Sequence, residues 1–171
     1  MLSDSGKVKD PVCEMWAVPE QNAVNCLGMR FAFCSQQCKE RFLANPHLYS
    51  GLPGEPAPKQ TGQQVVKRRR LRLEAPWSGP GAQRFVERLH DMTGVFAVEI
   101  KAEELTITYD LLQATAEQIE TALQQAGGHP GRGWAERLRR ALVHYLEESE
   151  VDALEVRSGC HRHGEDHHHH D

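Results

Sequence analysis

Apolar and polar positions divide the 171-residue chain into two patterned regions. In the first, residues 23–27 and 29–33 are short strand-like runs on either side of Gly28, which predicts a hairpin. Ser35 is placed to cap a helix beginning Gln36-Gln37-Cys38; Phe42 and Leu43 give it an apolar face, and Asn45-Pro46 ends it. In the second region Leu71 and Leu73 alternate with charged residues over positions 65–74, as in a half-buried strand. Phe85, Val86 and Leu89 fall at helical spacing within residues 82–92. Residues 94–100 and 105–109 predict two more strands, with Leu105, Ile107 and Tyr109 on one face and Thr106 and Thr108 on the other. Thr115 with Gln118 reads as a capping box, Ile119, Ala122 and Leu123 as the buried stripe, and Gly127-Gly128 as the stop.

The fold class that follows is α+β. Residues 8–50 form a small module, a β-hairpin plus helix, and residues 51–64 form a linker. The linker's three prolines and three glycines, with no aliphatic residue after Leu52, argue against ordering. Residues 65–128 follow in the order β-α-β-β-α, most of a split βαβ ferredoxin-like unit. A further helix, residues 132–150, carries Trp134, Leu138, Ala141, Leu142, Tyr145 and Leu146 along one stripe, expected to pack on the rest. Residues 158–171 have no apolar periodicity and read as a disordered histidine-rich tail.

Composition narrows the function classes. With 39% hydrophobic and 26% charged residues and a net charge of −4, the chain has no general pull towards nucleic acid. Residues 67–70, Lys-Arg-Arg-Arg, are a local exception. They read as a solvated basic edge that discourages strand pairing, and no aromatic base-stacking set accompanies them. No run is long enough for a membrane span, and the N-terminus lacks the apolar core of a signal peptide, so the expected compartment is the cytoplasm. There, five cysteines point to metal or redox chemistry more than to disulfides. No Ser/His/Asp set, paired catalytic carboxylates or phosphate loop argues for an enzyme.

Cys34 and Cys38 lie one helical turn apart where a strand gives way to a helix. The helix N-terminus is expected to lower their thiol pKa. Cys13 sits on a turn set by Pro11, which the Gly28 hairpin can fold back over the helix start. Three converging thiolates suit Zn²⁺, Cu⁺, Cd²⁺ or Hg²⁺. The alternative is three small buried hydrophobes. A module of this size also has little core of its own, a deficit that a bound ion would fill. Cys26 lies on the hairpin, where alternation does not settle its face; packing is the first reading and ligation the second.

DPVCEM, the hairpin glycine, FAFCSQQC, Phe42 and Asn45-Pro46-x-x-Tyr49 together closely resemble the YHS domain, itself similar to TRASH-type metal-binding modules. The likeness covers residues 8–49 and implies a zinc-finger-like fold holding a heavy-metal ion through Cys13, Cys34 and Cys38. Glu14 departs from it, because that family usually has glycine there, and it also commonly has tyrosine at the position of Cys26. Residues 67–128 resemble a heavy-metal-associated domain through Val86-Glu87-x-Leu89, Thr93-Gly94-Val95, Val98-Glu99-Ile100, Thr106-x-Thr108-Tyr109-Asp110 and Ala126-Gly127. The Cys-x-x-Cys of that family is replaced by Ser78 and Gly81, so the resemblance implies a fold that has lost its ion. A fourth strand is also missing, and the last helix is placed to cover the edge it would have occupied.

Cys160, His161, His163, His167, His168, His169 and His170 form a native auxiliary chelator by this reading, with a purification tag as the alternative. The expected function is a heavy-metal-binding protein, for zinc or copper, acting in buffering, trafficking or sensing. The alternative is an adaptor with a structural zinc that docks on a metal-transporting P-type ATPase or a regulator.

Overall fold

Short paired strands lead into a longer sheet in the computed structural model, which describes residues 6–26, 28–132 and 134–157. Strands β1 (Val8–Lys9) and β2 (Trp16–Ala17) pair antiparallel, as do β3 (Val24–Cys26) and β4 (Met29–Phe31). Gly28 supplies the left-handed φ of 73° that the β3–β4 turn requires. Helix α1 (Gln36–Ala44) follows, then a short 3-10 turn, Pro46–Leu48. The second region runs β5 (Val66–Arg72), α2 (Pro80–Asp91), β6 (Val95–Lys101), β7 (Glu104–Asp110) and α3 (Ala116–Gln125). Its three strands lie antiparallel in the order β5-β7-β6. The last helix, α4, spans Trp134–Arg157. The chain is thus α+β, with small sheets.

The local signals act as physics demands. Ser35 accepts the Cys38 backbone N–H at 3.2 Å, which caps α1. Thr115 Oγ1 accepts the Gln118 N–H, and the Gln118 side chain accepts the Thr115 N–H in return, closing both sides of a capping box. Leu105, Ile107 and Tyr109 of β7 are buried on one face against Phe85 and Leu89 of α2 and Ile119 and Leu123 of α3.

The two regions share one core. Val12, Phe33, Phe42, Leu48 and Tyr49 belong to the same buried cluster as Leu111, Leu112 and Val151. Hydrogen bonds fix the junction, each from a side chain of the first region to a backbone carbonyl of the second. Gln37 Nε2 donates to Thr93 O at 2.8 Å and Gln113 O at 3.1 Å, Arg41 Nε to Leu111 O at 3.1 Å, and the Tyr49 hydroxyl to Leu112 O at 2.6 Å. Residues 51–64, whose composition argues against ordering, are held as well. Ala57 is fully buried, and the Lys59 N–H donates to Leu48 O at 3.0 Å. Contacts with the first region offset the entropy that the segment's own side chains cannot.

Helix α4 departs from the sequence expectation in length and in rotation. It runs to Arg157, beyond the expected end at 150. Leu142, Tyr145 and Leu146 of its expected packing stripe are 54%, 64% and 49% exposed, while Glu147 and Val151 are buried instead; the side chains of Trp134, Leu138 and Ala141, also assigned to that stripe, lie outside those described. Charge decides this rotation. Glu147 accepts the Tyr109 hydroxyl and the Ala116 N–H and pairs with Arg69, and Glu150 pairs with Lys67. The basic run on β5 is therefore split by strand alternation. Lys67 and Arg69 face α4, whereas Arg68 and Arg70 remain exposed, so only half of it is the solvated edge that was expected.

Candidate metal centre

Residues 10–15 form a tight turn around one buried carboxylate. Asp10 is fully buried, and its Oδ1 accepts the Val12 N–H at 2.8 Å and the Cys13 N–H at 3.4 Å. The Glu14 N–H closes on Asp10 O, and the Asp10 N–H reaches Met15 O. The turn forces Glu14 to a φ of 65°, the left-handed conformation that glycine adopts without penalty. Asp10 Oδ2 accepts the Cys34 N–H at 2.8 Å. A single side chain thus fastens the Cys13 turn to the start of α1.

The three sulfurs converge as a result. Cys13 Sγ lies 3.4 Å from Cys34 Sγ, and Cys34 Sγ lies 3.8 Å from Cys38 Sγ. One ligand atom from each of Asp10, Cys13, Cys34 and Cys38 falls within 4.8 Å of all the others, a group that could hold a metal ion. Cys38 is buried, while Cys13 and Cys34 are partly exposed, so the cluster opens on one side. Three thiols beside a carboxylate suit a soft or borderline cation better than a hard one.

The Cys34 thiol is not acidified, contrary to the effect expected of the helix N-terminus. Burial first, and then hydrogen bonds with Cys13 and Asp10, push the Cys34 thiol up to about 12. Its hydrogen bond with Cys38, followed by burial, raises Cys13 further. Crowded sulfurs and a neighbouring carboxylate oppose new negative charge, and this outweighs the helix end. A cation in the cluster reverses that balance, because it attracts the same thiolates that repel one another.

Asp10 was missed as a site residue, although Asp-Pro ahead of a cysteine carries a readable signal. An aspartate before a proline turn accepts backbone N–H groups two and three residues on. Cys26, the possible extra ligand, packs partly buried against the core and stands outside the four-residue group. Cys160, His161, His163, His167, His168, His169 and His170 lie outside the described residues. Ser78 lies in the loop ahead of α2, Gly79 caps the helix at a φ of 81° and Gly81 falls in its first turn, and neither Ser78 nor Gly81 offers a thiol.

Among the described residues no helix is long and apolar enough to cross a membrane. Fold and cluster together define an α+β protein with a potential metal site built of cysteine and aspartate. Residues 8–52 match the YHS domain family, and the match contains all four residues of that cluster. No curated protein and no solved structure matches the chain. The resemblance of residues 67–128 to a heavy-metal-associated domain finds no support in these comparisons.

Proposed function

We propose that the chain binds a soft or borderline heavy-metal ion, zinc or copper, through Cys13, Cys34 and Cys38, and acts in buffering, trafficking or sensing of that ion. The observation that carries this reading is the convergence of three sulfurs and one carboxylate within 4.8 Å, inside the YHS match. In this reading Asp10 positions more than it ligates, because both of its oxygens already accept backbone N–H groups. The partly exposed Cys13 and Cys34 leave a path for the ion to enter and exchange. The histidine tail, residues 158–171, collects ions for this site. The protein works in the cytoplasm and catalyses no reaction, since a three-thiolate site favours holding an ion over activating water.

Elemental analysis of protein purified without a metal column tests the proposal. One ion per chain is expected, with loss in Cys34→Ser. Unchanged stoichiometry in that variant sinks the site.

An adaptor with a purely structural ion is the second reading, and the docking of α1 supports it. Gln37 and Arg41, on either side of Cys38, bond to the second region, so an ion at the helix start would brace the junction. The second region reads here as a ferredoxin-like, heavy-metal-associated fold that has lost its own ion. Its support is the strand order β5-β7-β6 with α2 and α3 on the buried face. Such a fold would dock on a metal-transporting P-type ATPase or a regulator. A competing chelator separates the readings: release within minutes favours transfer, and release only on unfolding favours the adaptor.

A further inference from the structure

The sheet of the second region stops one strand short, and the chain begins that strand before abandoning it. Leu73 and Pro130 form an antiparallel bridge, the Glu74 N–H donates to His129 O at 2.9 Å, and the Gly131 N–H donates to Arg72 O at 2.8 Å. These are the first rungs of a ladder on the free edge of β5. Helix α4 begins at Trp134, and among the described residues the ladder goes no further.

Strand parity shows which groups are left. Leu73 N–H bonds to Glu103 O and Leu111 N–H to Val65 O, so the odd-numbered residues of β5 face β7. In an antiparallel pair the alternate residues turn their N–H and C=O groups to the other side. Those are Val66, Arg68, Arg70 and Arg72, of which Arg72 O is taken by Gly131. Among the described residues no backbone partner reaches Arg68 or Arg70. The exposed edge borders a cavity of about 470 Å³, whose walls include Arg68 and Arg70 on β5, Ile119 and Glu120 on α3, and Arg140 and Val143 on α4.

We infer that this slot receives an extended segment of a partner protein, which adds to β5 as the fourth strand of the sheet. Charge and alternation state its chemistry. Side chains of an added strand on the outer face would lie beside the exposed guanidiniums of Arg68 and Arg70, so carboxylates fit there. Side chains on the inner face would enter the cavity towards Leu71, Ile107, Ile119 and Val143; Arg69, Glu120 and Arg140 on the same wall are already held in ion pairs, so apolar residues fit there. The segment recognised therefore alternates acidic and apolar residues. A second copy of the chain is a poor occupant, because antiparallel pairing of two β5 edges sets Arg68 and Arg70 against the same arginines. The inference is independent of the metal site.

The probe is a fluorescein-labelled eight-residue peptide alternating glutamate and valine, titrated into the full chain and read by anisotropy. Saturable one-to-one binding is expected, weakened at least tenfold when prolines replace the residues whose N–H groups face β5. Arg68→Glu with Arg70→Glu should also lose at least tenfold, leave the melting temperature unchanged, and gain binding of the lysine–valine counterpart. Amide hydrogen exchange supplies a second readout: Arg68 and Arg70 exchange rapidly in the free chain and are protected by the peptide. Equal binding of the proline-bearing peptide overturns the proposal in favour of a general polyanion surface, nucleic acid included. Failure of the glutamate–valine peptide to bind also overturns it. Protection of both amides in the free chain does so too, with a segment of the same chain in the slot if it is independent of concentration and a second copy if it is not.

Discussion

The two halves of this protein reach order by different routes. The second region has strands of seven residues and a large apolar core drawn from both helices and the sheet. The first has strands of two or three residues, and beside its buried Phe33, Phe42 and Tyr49 it holds a knot of thiols around one buried carboxylate. Area removed from water stabilises both, and in the first polar geometry at a few atoms organises the rest. An ion that binds only the folded cluster adds to the stability of the second kind and is irrelevant to the first kind taken alone. Because α1 is bonded to residues 93 and 111–113, however, neither half is independent of the other.

Deep truncation in the apolar core of the second region should have the largest effect. Phe85→Ala is expected to cost about 3–5 kcal/mol in urea unfolding, equally with and without added zinc. A deficit that zinc largely removes would mean the two halves are not distinct in this way.

Asp10→Ala comes next. It leaves the N–H groups of Val12, Cys13 and Cys34 without their acceptor, at about 2–3 kcal/mol, and should lower zinc affinity at least tenfold in a chelator competition. Wild-type affinity in this variant would make the carboxylate dispensable to the cluster.

Tyr49→Phe removes one bond across the junction, to Leu112 O, and should cost about 1 kcal/mol. If the halves are coupled, the loss appears as a lower melting temperature of the single transition and not as a new early one.

Glu14→Gly should act in the opposite direction and stabilise by about 1 kcal/mol, since it relieves a left-handed φ at a non-glycine residue. Calorimetry of the metal-free protein would read it most directly.

The smallest effect concerns Glu120. Burial raises its carboxyl above the ordinary glutamate range, against the pull of His144 and Arg140. The folded chain therefore holds that proton more tightly than the unfolded chain. Its contribution is complete below the ordinary range and is lost as pH rises through the raised value. Glu120→Gln should flatten the dependence of melting temperature on pH over that window, and an unaltered slope would assign the dependence elsewhere.

Wherever a few neighbouring residues suffice, the fold could be read along the chain. The Gly28 turn, the Ser35 cap and the Thr115–Gln118 box each close within four residues, so their partners are visible in the sequence. The thiols at 13, 34 and 38 were legible for a related reason, because a proline turn and a helix start constrain where each sulfur can point. Asp10 was less legible because its decisive bond, to the N–H of Cys34, crosses the module.

What the sequence determined by itself was the β3–β4 hairpin, the helices, the strands of the second region and the three cysteines that gather in the cluster, since periodicity, caps and side-chain chemistry are short-range properties. Only the tertiary structure decided the rotation of α4. Hydrophobic spacing favoured Leu142, Tyr145 and Leu146 inward, but the Tyr109 hydroxyl, the Ala116 N–H and Arg69 together offered Glu147 a site that no local pattern records. The same holds for the thiol protonation and for the open edge of β5. Each depends on charges and backbone groups brought together from distant parts of the chain, and such energies are set by distance in space.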